Sequence, residues 1–544
     1  PTMVILLSYS DHHHVTADRT AMTARHLTVR GRRYPLVLPN IRDPRLHVAA
    51  VIISVHVLGQ VALHFHVSVP QILAAMAASA VLEVALTFRQ SRTIVWPASA
   101  MLTGSGVALI LRVVGTPADQ PWFTGSWELY AVVGGLSLLT KYVIRYRGSH
   151  VFNPSNIGLV AAFVLLGSSR VQPLDFWWAP LNPAMIAAYV VILGGGLLIT
   201  RRLHLLELAG SFWVAFAAGL GLLSISGHCM TANWAFAPVC GSDFWRTVVF
   251  SPEVMVFLFF MITDPKTVPT GRVGRIAFGV ILALVATLLI APQTDEFGTK
   301  VALLSSLVIM CAGRYLLERF VPQTSSTADT PGRFARRLLG GPHATPARPV
   351  AFLRVGSAGA LVLAVGLAIV LAGLPARGVP IGSNVLAIEP SEIDPSTLPP
   401  IALAPDVTDF DHELAGAGIQ AVVVTLAQNL ELENQALLKR DPTILPTVDH
   451  GARLDEMRSR VASAVATGSV VISHYRFESI AAALLVPFGE QTGLSLGLAA
   501  QGTLTEETYD GAGTLVTSSE RPFHATFAVR RATGARWLNV AVLP

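Results

Sequence analysis

The sequence predicts an all-α polytopic membrane protein with about 10–11 transmembrane helices, followed by a soluble C-terminal α+β domain. Three observations predict this class. Only 13% of the 544 residues are charged, whereas soluble domains average about 25%. The long apolar runs lie within roughly the first 375 residues, and the remainder has the mixed pattern of a globular domain. Arginine and lysine are concentrated in the connections between the apolar runs, where such residues set membrane topology.

The net charge of +5 therefore reflects connecting loops, and no basic stripe with interleaved aromatic residues appears. We expect the lipid bilayer as a partner and no nucleic acid. Residues 1–46 read as a basic cytoplasmic tail, because the apolar segment Met3–Leu7 is too short for a signal peptide. Three adjacent histidines at 12–14 have no scaffold that would fix a coordination geometry, so the sequence predicts no metal site there.

Eleven apolar runs of near-membrane length are candidate spans. They lie near 47–67, 69–88, 93–113, 127–144, 152–168, 183–200, 206–227, 247–263, 275–292, 300–319 and 351–374. This pattern predicts a transmembrane domain over 47–320, a linker over 321–350, an additional transmembrane helix over 351–374 and a domain over 375–544. Basic residues fall in alternate connections, which places the N-terminus in the cytoplasm. An odd number of spans then places the C-terminal domain outside.

One apolar run breaks at an aspartate–proline pair. Residues 257–275 read FLFFMITDPKTVPTGRVGR, with the break at Asp264. Proline removes a backbone donor and disfavours helix before it, so a helix arriving from Met255 should stop near Thr263 and leave carbonyl groups free. Within a membrane such groups need a partner inside the protein. The break is therefore a candidate site; the alternative is a helix end stabilised by Lys266 and its basic neighbours.

A second candidate site is an asparagine–proline turn. Asn153 can cap a helix whose first position is Pro154. The free N–H groups of that first turn suit an anion or the carbonyl oxygens of a ring system. Lys141 precedes this turn near the end of the previous run. The alternative is that Asn153 only caps its helix and Lys141 only extends its amine to the membrane surface.

Other residues suggest smaller features. Glu253 lies just inside a span that ends at Asp264, and because carboxylates within membranes are costly it is a candidate for an ion path. The small residues of SAMLTGSG, 99–106, permit close helix contact or a local unwinding of the helix. Cys229 and Cys240 share one predicted external loop, where either a disulfide or two free thiols would fit.

Three of these segments together resemble a known family. The stretches ASAMLTGSGVALIL, KYVIRYRGSHVFNPSNIGLVAAF and FLFFMITDPKTVPTGRVGR lie on separate spans and are similar to motifs of the NqrB/RnfD family. Its members are membrane subunits of the sodium-pumping quinone reductase and of the Rnf (RnfABCDGE-type) electron-transport complex. The resemblance covers roughly residues 40–320. The stretch APQTDEFGTKVALL is most similar to the branch called enediyne biosynthesis protein UnbU.

The resemblance implies a flavin-bearing subunit that passes electrons within a larger complex, with the redox steps coupled to movement of an ion. Family members attach flavin mononucleotide (FMN) to a threonine of a Ser-Gly-Ala-Thr motif. Residues 167–183, GSSRVQPLDFWWAPLNP, contain no threonine, so we expect FMN or riboflavin to be held without a covalent bond. Trp177 and Trp178 could stack on the ring or belong to an interfacial belt. The cofactor-binding residues carried over from the family are Lys141, Asn153, Asn156, Asp264, Lys266 and Thr270.

The region 375–544 lies beyond that resemblance. Helical patterns near 406–439 and 450–466 precede strand patterns near 469–477, 493–505, 513–519 and 523–542. Two helices before a four-stranded meander are similar to NTF2-like α+β domains, which bind ligands or partners as often as they catalyse.

Three functions of different classes stay open. The first is a redox subunit of an Rnf-like complex, which predicts bound flavin, partner subunits and the plasma membrane of a bacterium. The branch resemblance would place it in enediyne-type natural-product biosynthesis. The second is a cofactor-less transporter or membrane scaffold with the same fold, which the missing threonine favours. The third makes the external domain the working part and the spans its anchor.

Overall fold

The chain is described by a computed structural model. It describes residues 22–29, 32–40, 43–118, 120–174, 183–232, 235, 238–323, 330, 332–333, 360, 363–376, 393–485, 494–531 and 536–543. Two compact units are present: the first comprises Pro1–His228 with Cys240–Arg377, and the second comprises Cys229–Val239 with Gly378–Pro544. The predicted linker over 321–350 falls mostly outside the described residues.

The first unit is a bundle of apolar helices. Its main helices are α1 (Pro44–Val61), α2 (Val69–Ser91), α3 (Ala98–Ile110), α4 (Trp127–Val143), α5 (Pro154–Leu166), α6 (Pro183–Arg202), α7 (Leu206–Ile225), α8 (Gly241–Val249), α9 (Pro252–Val256), α10 (Arg272–Ile290), α11 (Glu296–Leu317) and α12 (Leu363–Ala372). Seven helical segments of the described chain, with Gly241–Met261 counted as one, are long and apolar enough to cross a membrane. The chain is therefore a multi-pass membrane protein, as the composition predicted.

Helices occupy all eleven predicted spans, but several are too short to cross a membrane alone. Helices α3 and α5 each have 13 residues, about 20 Å at 1.5 Å per residue, against a hydrocarbon core of about 30 Å. Each is followed by an extended strand: β4 (Leu111–Val113) and β7 (Val171–Pro173) pair antiparallel. Such non-helical backbone is tolerated because its polar groups pair within the protein.

The N-terminal tail is more ordered than the sequence predicted. Strands β1 (Met22–Val29) and β2 (Arg32–Pro39) form an antiparallel hairpin, and β3 (Ile94–Val95) adds to β2 in parallel. The sequence predicted no strands in this basic tail, because the pairing of β2 with β3, a strand beyond α1 and α2, leaves no local signal. Two-stranded pairs β5–β6 (Arg145–Tyr146, Ser149–His150) and β8–β9 (Cys229–Met230, Val239–Cys240) complete the small sheets.

The helix that leads to the Asp264–Pro265 break is irregular. After α8 the chain turns at Ser251, whose side chain caps α9 by accepting from the Val254 N–H. Residues Phe257–Met261 then form a π-helical turn, in which the N–H of Ile262 bonds the carbonyl of Phe257. The helix therefore ends two residues before the predicted stop at Thr263. Such π turns are frequent at functional sites.

The second unit contains the C-terminal α+β domain. A five-stranded sheet has the order β10 (Ile401–Leu403), β11 (Val470–Leu485), β12 (Ser495–Tyr509), β13 (Leu515–Arg531) and β14 (Trp537–Leu543). Only β10 runs parallel to its neighbour. Helices α13 (Pro405–Phe410), α14 (Ala417–Lys439) and α15 (Gly451–Thr467) precede the four-stranded meander. The α+β prediction is confirmed, and the NTF2-like resemblance stays a prediction.

One strand boundary in this domain was predicted wrongly. The sequence divided 513–542 at the proline Pro522, whereas β13 continues through it and the chain breaks later, before Trp537. Proline is tolerated in a strand only where its missing N–H leaves no ladder bond unmade. Strand β14 pairs only with Thr526–Arg531 of β13. On that side of β13, no described strand lies beside Pro522.

Candidate functional site

The asparagine–proline turn and the aspartate–proline break meet in the structure. The Asn153 Oδ1 caps α5 by accepting from the Asn156 N–H, with Pro154 at the first helical position, as predicted. Its Nδ2 donates to the carbonyl of Met261, 3.1 Å away, at the end of the π turn. The helix end left open by Pro265 thus obtains its partner from the side chain that caps the other helix. Two motifs more than a hundred residues apart form one junction.

Asn156 extends this junction to a third helix. Its Nδ2 donates to the carbonyl of Leu304 on α11 at 2.9 Å, and the residue is 1% exposed. The Asn156 Oδ1 has no hydrogen-bond donor among the described residues. A buried amide oxygen without a donor costs about 1–3 kcal/mol. This atom is therefore able to accept a hydrogen bond from a bound molecule.

Asp264 is held in an ionised, well-partnered state. Its carboxylate lies 3.2 Å from the His150 Nε2 and accepts from the Lys266 N–H at 3.0 Å. Burial by itself would raise the pKa of Asp264, but the hydrogen bond and charge of His150 and then the Lys266 contacts outweigh it, and the net pKa is lowered. The site consequently contains a fixed negative charge.

Two further side chains complete this region. The Arg314 Nη1 donates to the carbonyl of Lys266, and its guanidinium lies 4.4 Å from the centre of the Tyr315 ring. The thiol of Cys311, the free cysteine of the described chain, is fully buried one helical turn away on α11. The Lys266 side chain itself is exposed. The region therefore carries cationic groups beside the Asp264 carboxylate.

Lys141 belongs to a separate polar cluster. Its Nζ lies 2.6 Å from the Glu83 Oε1 and donates to the Ser99 Oγ at 3.1 Å. The other Glu83 oxygen accepts from the Ala100 N–H at 3.1 Å, in the first turn of α3, and Tyr142 donates to the same carboxylate. A helix N-terminus favours a carboxylate. Lys141 thus bonds Glu83 and Ser99 rather than the side chains of the Asn153 junction.

Thr270 also has a different environment. Its Oγ1 donates to the carbonyl of Gln323 at 2.7 Å, beyond the end of α11. Its own carbonyl accepts from the Arg275 Nη2 at 2.8 Å. The structure therefore brings together Asn153, Asn156, Asp264 and Lys266 from the predicted set, and places Lys141 and Thr270 elsewhere.

Glu253 lies in a buried triad. The Lys300 Nζ is 2.8 Å from the Glu253 Oε1 and also contacts the Glu296 carboxylate, one turn earlier on α11. All three side chains are at most 16% exposed. The same Nζ is 3.5 Å from the carbonyl of Leu174, after β7. The three side chains thus form a buried charged cluster of one ammonium and two carboxylates.

Some predicted features lie outside the junction or outside the described residues. Cys229 and Cys240 are both disulfide-bonded. Trp177 and Trp178 fall within 175–182, which the structure does not describe. Within the described ranges, no three His, Cys, Asp or Glu side chains are grouped so that they could hold a metal ion.

The junction suits one edge of a flavin ring. That edge presents an N–H between two carbonyl groups, and it needs an acceptor and positive charge. The Asn156 Oδ1 supplies a buried acceptor that no described donor uses. Lys266 and Arg314 carry positive charge in this region, and the Arg314 Nε also lies 3.3 Å from the Glu318 Oε1. The side-chain amide groups of Asn153 and Asn156 already bond the backbone, so they hold the junction together.

Sequence reasoning missed several participants because their partners are distant along the chain. His150 lies 114 positions from Asp264, and Glu83 lies 58 positions from Lys141. Glu83 was visible as a carboxylate within an apolar run, which is the signal that could have paired it with Lys141.

Comparison with known proteins agrees with the family resemblance. No family model matches the chain. The RnfD subunit of an ion-translocating oxidoreductase complex from Escherichia coli (strain Crooks) is 28% identical over 252 residues, which cover 35% of this chain and 68% of that protein. Proteins of the same name from Escherichia coli O17:K52:H18 and from Shigella sonnei are 27% and 28% identical over the same coverage. The chain is accordingly a homologue, over part of its length, of the RnfD subunits of ion-translocating oxidoreductase complexes, and the resemblance to the NqrB/RnfD family is confirmed.

Proposed function

We propose that this chain is a membrane subunit of an Rnf-like electron-transport complex and binds FMN or riboflavin without a covalent bond at the Asn153–Asp264 junction. The observation that carries the proposal is the buried Asn156 Oδ1, which no described donor occupies. The flavin, when bound, supplies the electron-transfer chemistry. The Asn156 oxygen would accept a hydrogen bond from the ring N–H, Asn153 and Asp264 would keep the junction rigid, and Lys266 and Arg314 would supply positive charge near the ring.

The ion that accompanies electron transfer is proposed to pass the Glu253 region. The Lys300 ammonium lies between the carboxylates of Glu253 and Glu296. One positive charge therefore holds two negative groups close together. We propose that the subunits which donate and accept electrons are other members of the same complex in a bacterial plasma membrane. The APQTDEFGTKVALL resemblance supports a role in enediyne-type biosynthesis.

A flavin assay on the detergent-purified full chain tests this function. The absorbance spectrum is recorded before and after acid precipitation, with mass spectrometry of the intact chain. Flavin released by acid is the expected result. Flavin retained on the precipitated chain would contradict non-covalent binding, and no flavin in either fraction of folded protein would contradict the cofactor itself.

Two variants locate the cofactor. Asn156→Leu removes the acceptor and should lose the flavin, whereas Asn156→Asp keeps an oxygen at the same place and should retain more of it. Thr270→Ala is the matched control because its hydroxyl bonds Gln323 away from the junction. Equal flavin content in all three variants would place the cofactor elsewhere.

The alternative is a transporter or scaffold without a cofactor. It is favoured by a specific observation: most polar groups of the junction are already satisfied by the protein, and residues 167–183 contain no threonine for covalent attachment. The absence of flavin from folded protein made in cells that contain the flavin-transfer machinery would support this alternative.

A further inference from the structure

The C-terminal domain buries a charged network beside its hydrophobic clusters. Glu433 on α14 and Arg453 on α15 are 3% and 4% exposed. The Arg453 Nε donates to the Glu433 Oε1 at 3.1 Å, and its Nη2 donates to the other oxygen. The Asn539 Nδ2 adds a bond of 2.8 Å to the Glu433 Oε1. The Glu433 carboxylate thus accepts hydrogen bonds on both oxygens from the Arg453 guanidinium, which also carries the compensating charge.

A second carboxyl group lies against this pair without a donor of its own. Asp449 is 1% exposed, and neither of its side-chain oxygens meets a donor among the described residues. Its backbone is fixed by β14, since the Asn539 N–H bonds the Val448 carbonyl at 2.9 Å and the His450 N–H bonds the Asn539 carbonyl at 2.8 Å. The side chains that act on the Asp449 carboxyl are Glu433, Arg453 and Asn539.

Charge balance determines the state of Asp449. If Asp449 and Glu433 were both ionised, the single Arg453 guanidinium would leave one net negative charge buried. An uncompensated buried charge costs several kcal/mol. One proton removes this cost, because a neutral Asp449 carboxyl can donate its O–H to the Glu433 carboxylate. Burial, followed by the charge of Glu433 and the hydrogen bond to it, raises the pKa of Asp449 far above its ordinary value.

We propose that Asp449 and Glu433 hold one proton between them, and that release of this proton in alkaline solution loosens the C-terminal domain. Several other charged or titratable groups lie around the pair, from each element packed against it. Arg453 and Glu456 lie on α15, Tyr475 lies on β11 and Arg530 lies on β13. His450 is influenced by Arg530, and Arg536 donates to Asn429, whose amide bonds Asn539. None of them donates a hydrogen bond to Asp449.

The sign of the pH dependence follows from proton binding. Above the ordinary carboxyl pKa of about 4 the unfolded chain has released the Asp449 proton, whereas the folded chain retains it. The free energy of unfolding therefore falls as pH rises, until the raised pKa of Asp449 is passed. The unfolding equilibrium constant of the domain should increase by up to about tenfold per pH unit in this range.

Amide hydrogen exchange of the full chain, followed by mass spectrometry, tests this proposal. Peptides covering 429–457 and 537–543 are compared between about pH 6 and pH 9 after correction for the intrinsic pH dependence of exchange. In the wild-type protein their protection should fall with rising pH. In Asp449→Asn, which imitates the neutral carboxyl, protection should stay constant and exceed that of the wild type at alkaline pH.

Asp455→Asn is the matched control, because Asp455 is an exposed acid nearby on α15 and should behave as the wild type does. If Asp449→Asn does not fold, Asp449→Ser also removes the titratable group. Infrared spectra then give a second measurement: a protonated carboxyl band at neutral pH that disappears in alkali and is absent from the Ser variant. Equal pH dependence of the wild type and a folded Asp449 variant, or no such band, would overturn the proposal.

Discussion

Asn153 is the residue that joins the two motifs of the junction. Both polar atoms of its side chain make hydrogen bonds: the Oδ1 caps α5, and the Nδ2 donates to the carbonyl of Met261. A cap is worth about 1 kcal/mol, and a buried carbonyl left without a donor costs about 1–3 kcal/mol. One side chain therefore stabilises two helix ends that the sequence leaves incomplete.

We expect Asn153→Ala to destabilise the protein by about 2–4 kcal/mol, since both bonds are lost together. Thermal unfolding of the detergent-purified protein measures this loss. Ser155→Ala is the control, because the Ser155 hydroxyl only donates to the Asn153 oxygen, whereas Asn153 itself makes the cap on α5 and the bond to the Met261 carbonyl. Equal losses in the two variants would contradict the role given to Asn153.

Only part of this junction could be predicted from single residues. Asn153 as a cap and Pro265 as a break are local properties of the backbone, and the sequence expresses them directly. Which donor would meet the Met261 carbonyl depends on the packing of helices far apart along the chain, and no local pattern encodes it. The same reason explains why Lys141 and Thr270 were grouped with the junction although the structure gives them other partners.

At the scale of elements, helices α2, α3 and α4 pack with very close backbones. A methyl group at Gly104 on α3 would overlap the Ala75 carbonyl of α2, and one at Gly134 on α4 would lie 2.8 Å from the same oxygen. Both neighbouring helices thus approach α2 at one carbonyl. The small residues of 99–106 therefore serve close packing, the first of the two alternatives that their composition left open.

We expect Gly104→Ala to destabilise this packing by about 1–3 kcal/mol, because the added methyl group forces the backbones apart. Gly210→Ala on α7 is the matched control, since no atom lies within 4 Å of the added group. There the better helix propensity of alanine should be neutral or stabilising by up to about 1 kcal/mol. The ratio of folded to aggregated protein after mild heating distinguishes the two variants. Similar behaviour of both would contradict backbone contact at Gly104.

The limits of element prediction have a physical cause. Apolar runs located helices at all eleven predicted positions, because the membrane requires length and apolar character. The 13-residue lengths of α3 and α5 were not predicted. The run near 93–113 also contains β3 and β4, which pair with the distant strands β2 and β7, and no local pattern shows such pairing. The hairpin of β1 and β2 was missed because its side-chain pattern resembles that of a polar tail.

At the scale of the whole molecule, several predicted cytoplasmic connections meet one another. The Arg275 Nη1 donates to the carbonyl of His204, and Arg272 pairs with Glu207, so the connection after α6 lies beside the segment that follows Asp264. His150 reaches the same segment through Asp264. Because basic connections remain in the cytoplasm, their grouping on one side supports the predicted topology.

The C-terminal domain should lie on the opposite side of the membrane. The segment Cys229–Val239 between α7 and α8 belongs to the same compact unit as this domain, and the Leu494 N–H bonds its Ala232 carbonyl at 3.0 Å. Helix α7 separates that segment from the basic connection after α6. If the basic connections lie in the cytoplasm, Cys229–Val239 is therefore expected on the outside.

Labelling with a membrane-impermeant maleimide tests this arrangement. Ser518→Cys on the exposed part of β13 should react in intact spheroplasts, whereas Ser91→Cys at the end of α2 should react only after permeabilisation. The natural cysteines give little background, because Cys311 is buried and the other two are disulfide-bonded. Labelling of Ser91→Cys alone in intact cells would invert the topology. Labelling of both positions would mean that an even number of spans separates them, which would contradict the predicted odd number.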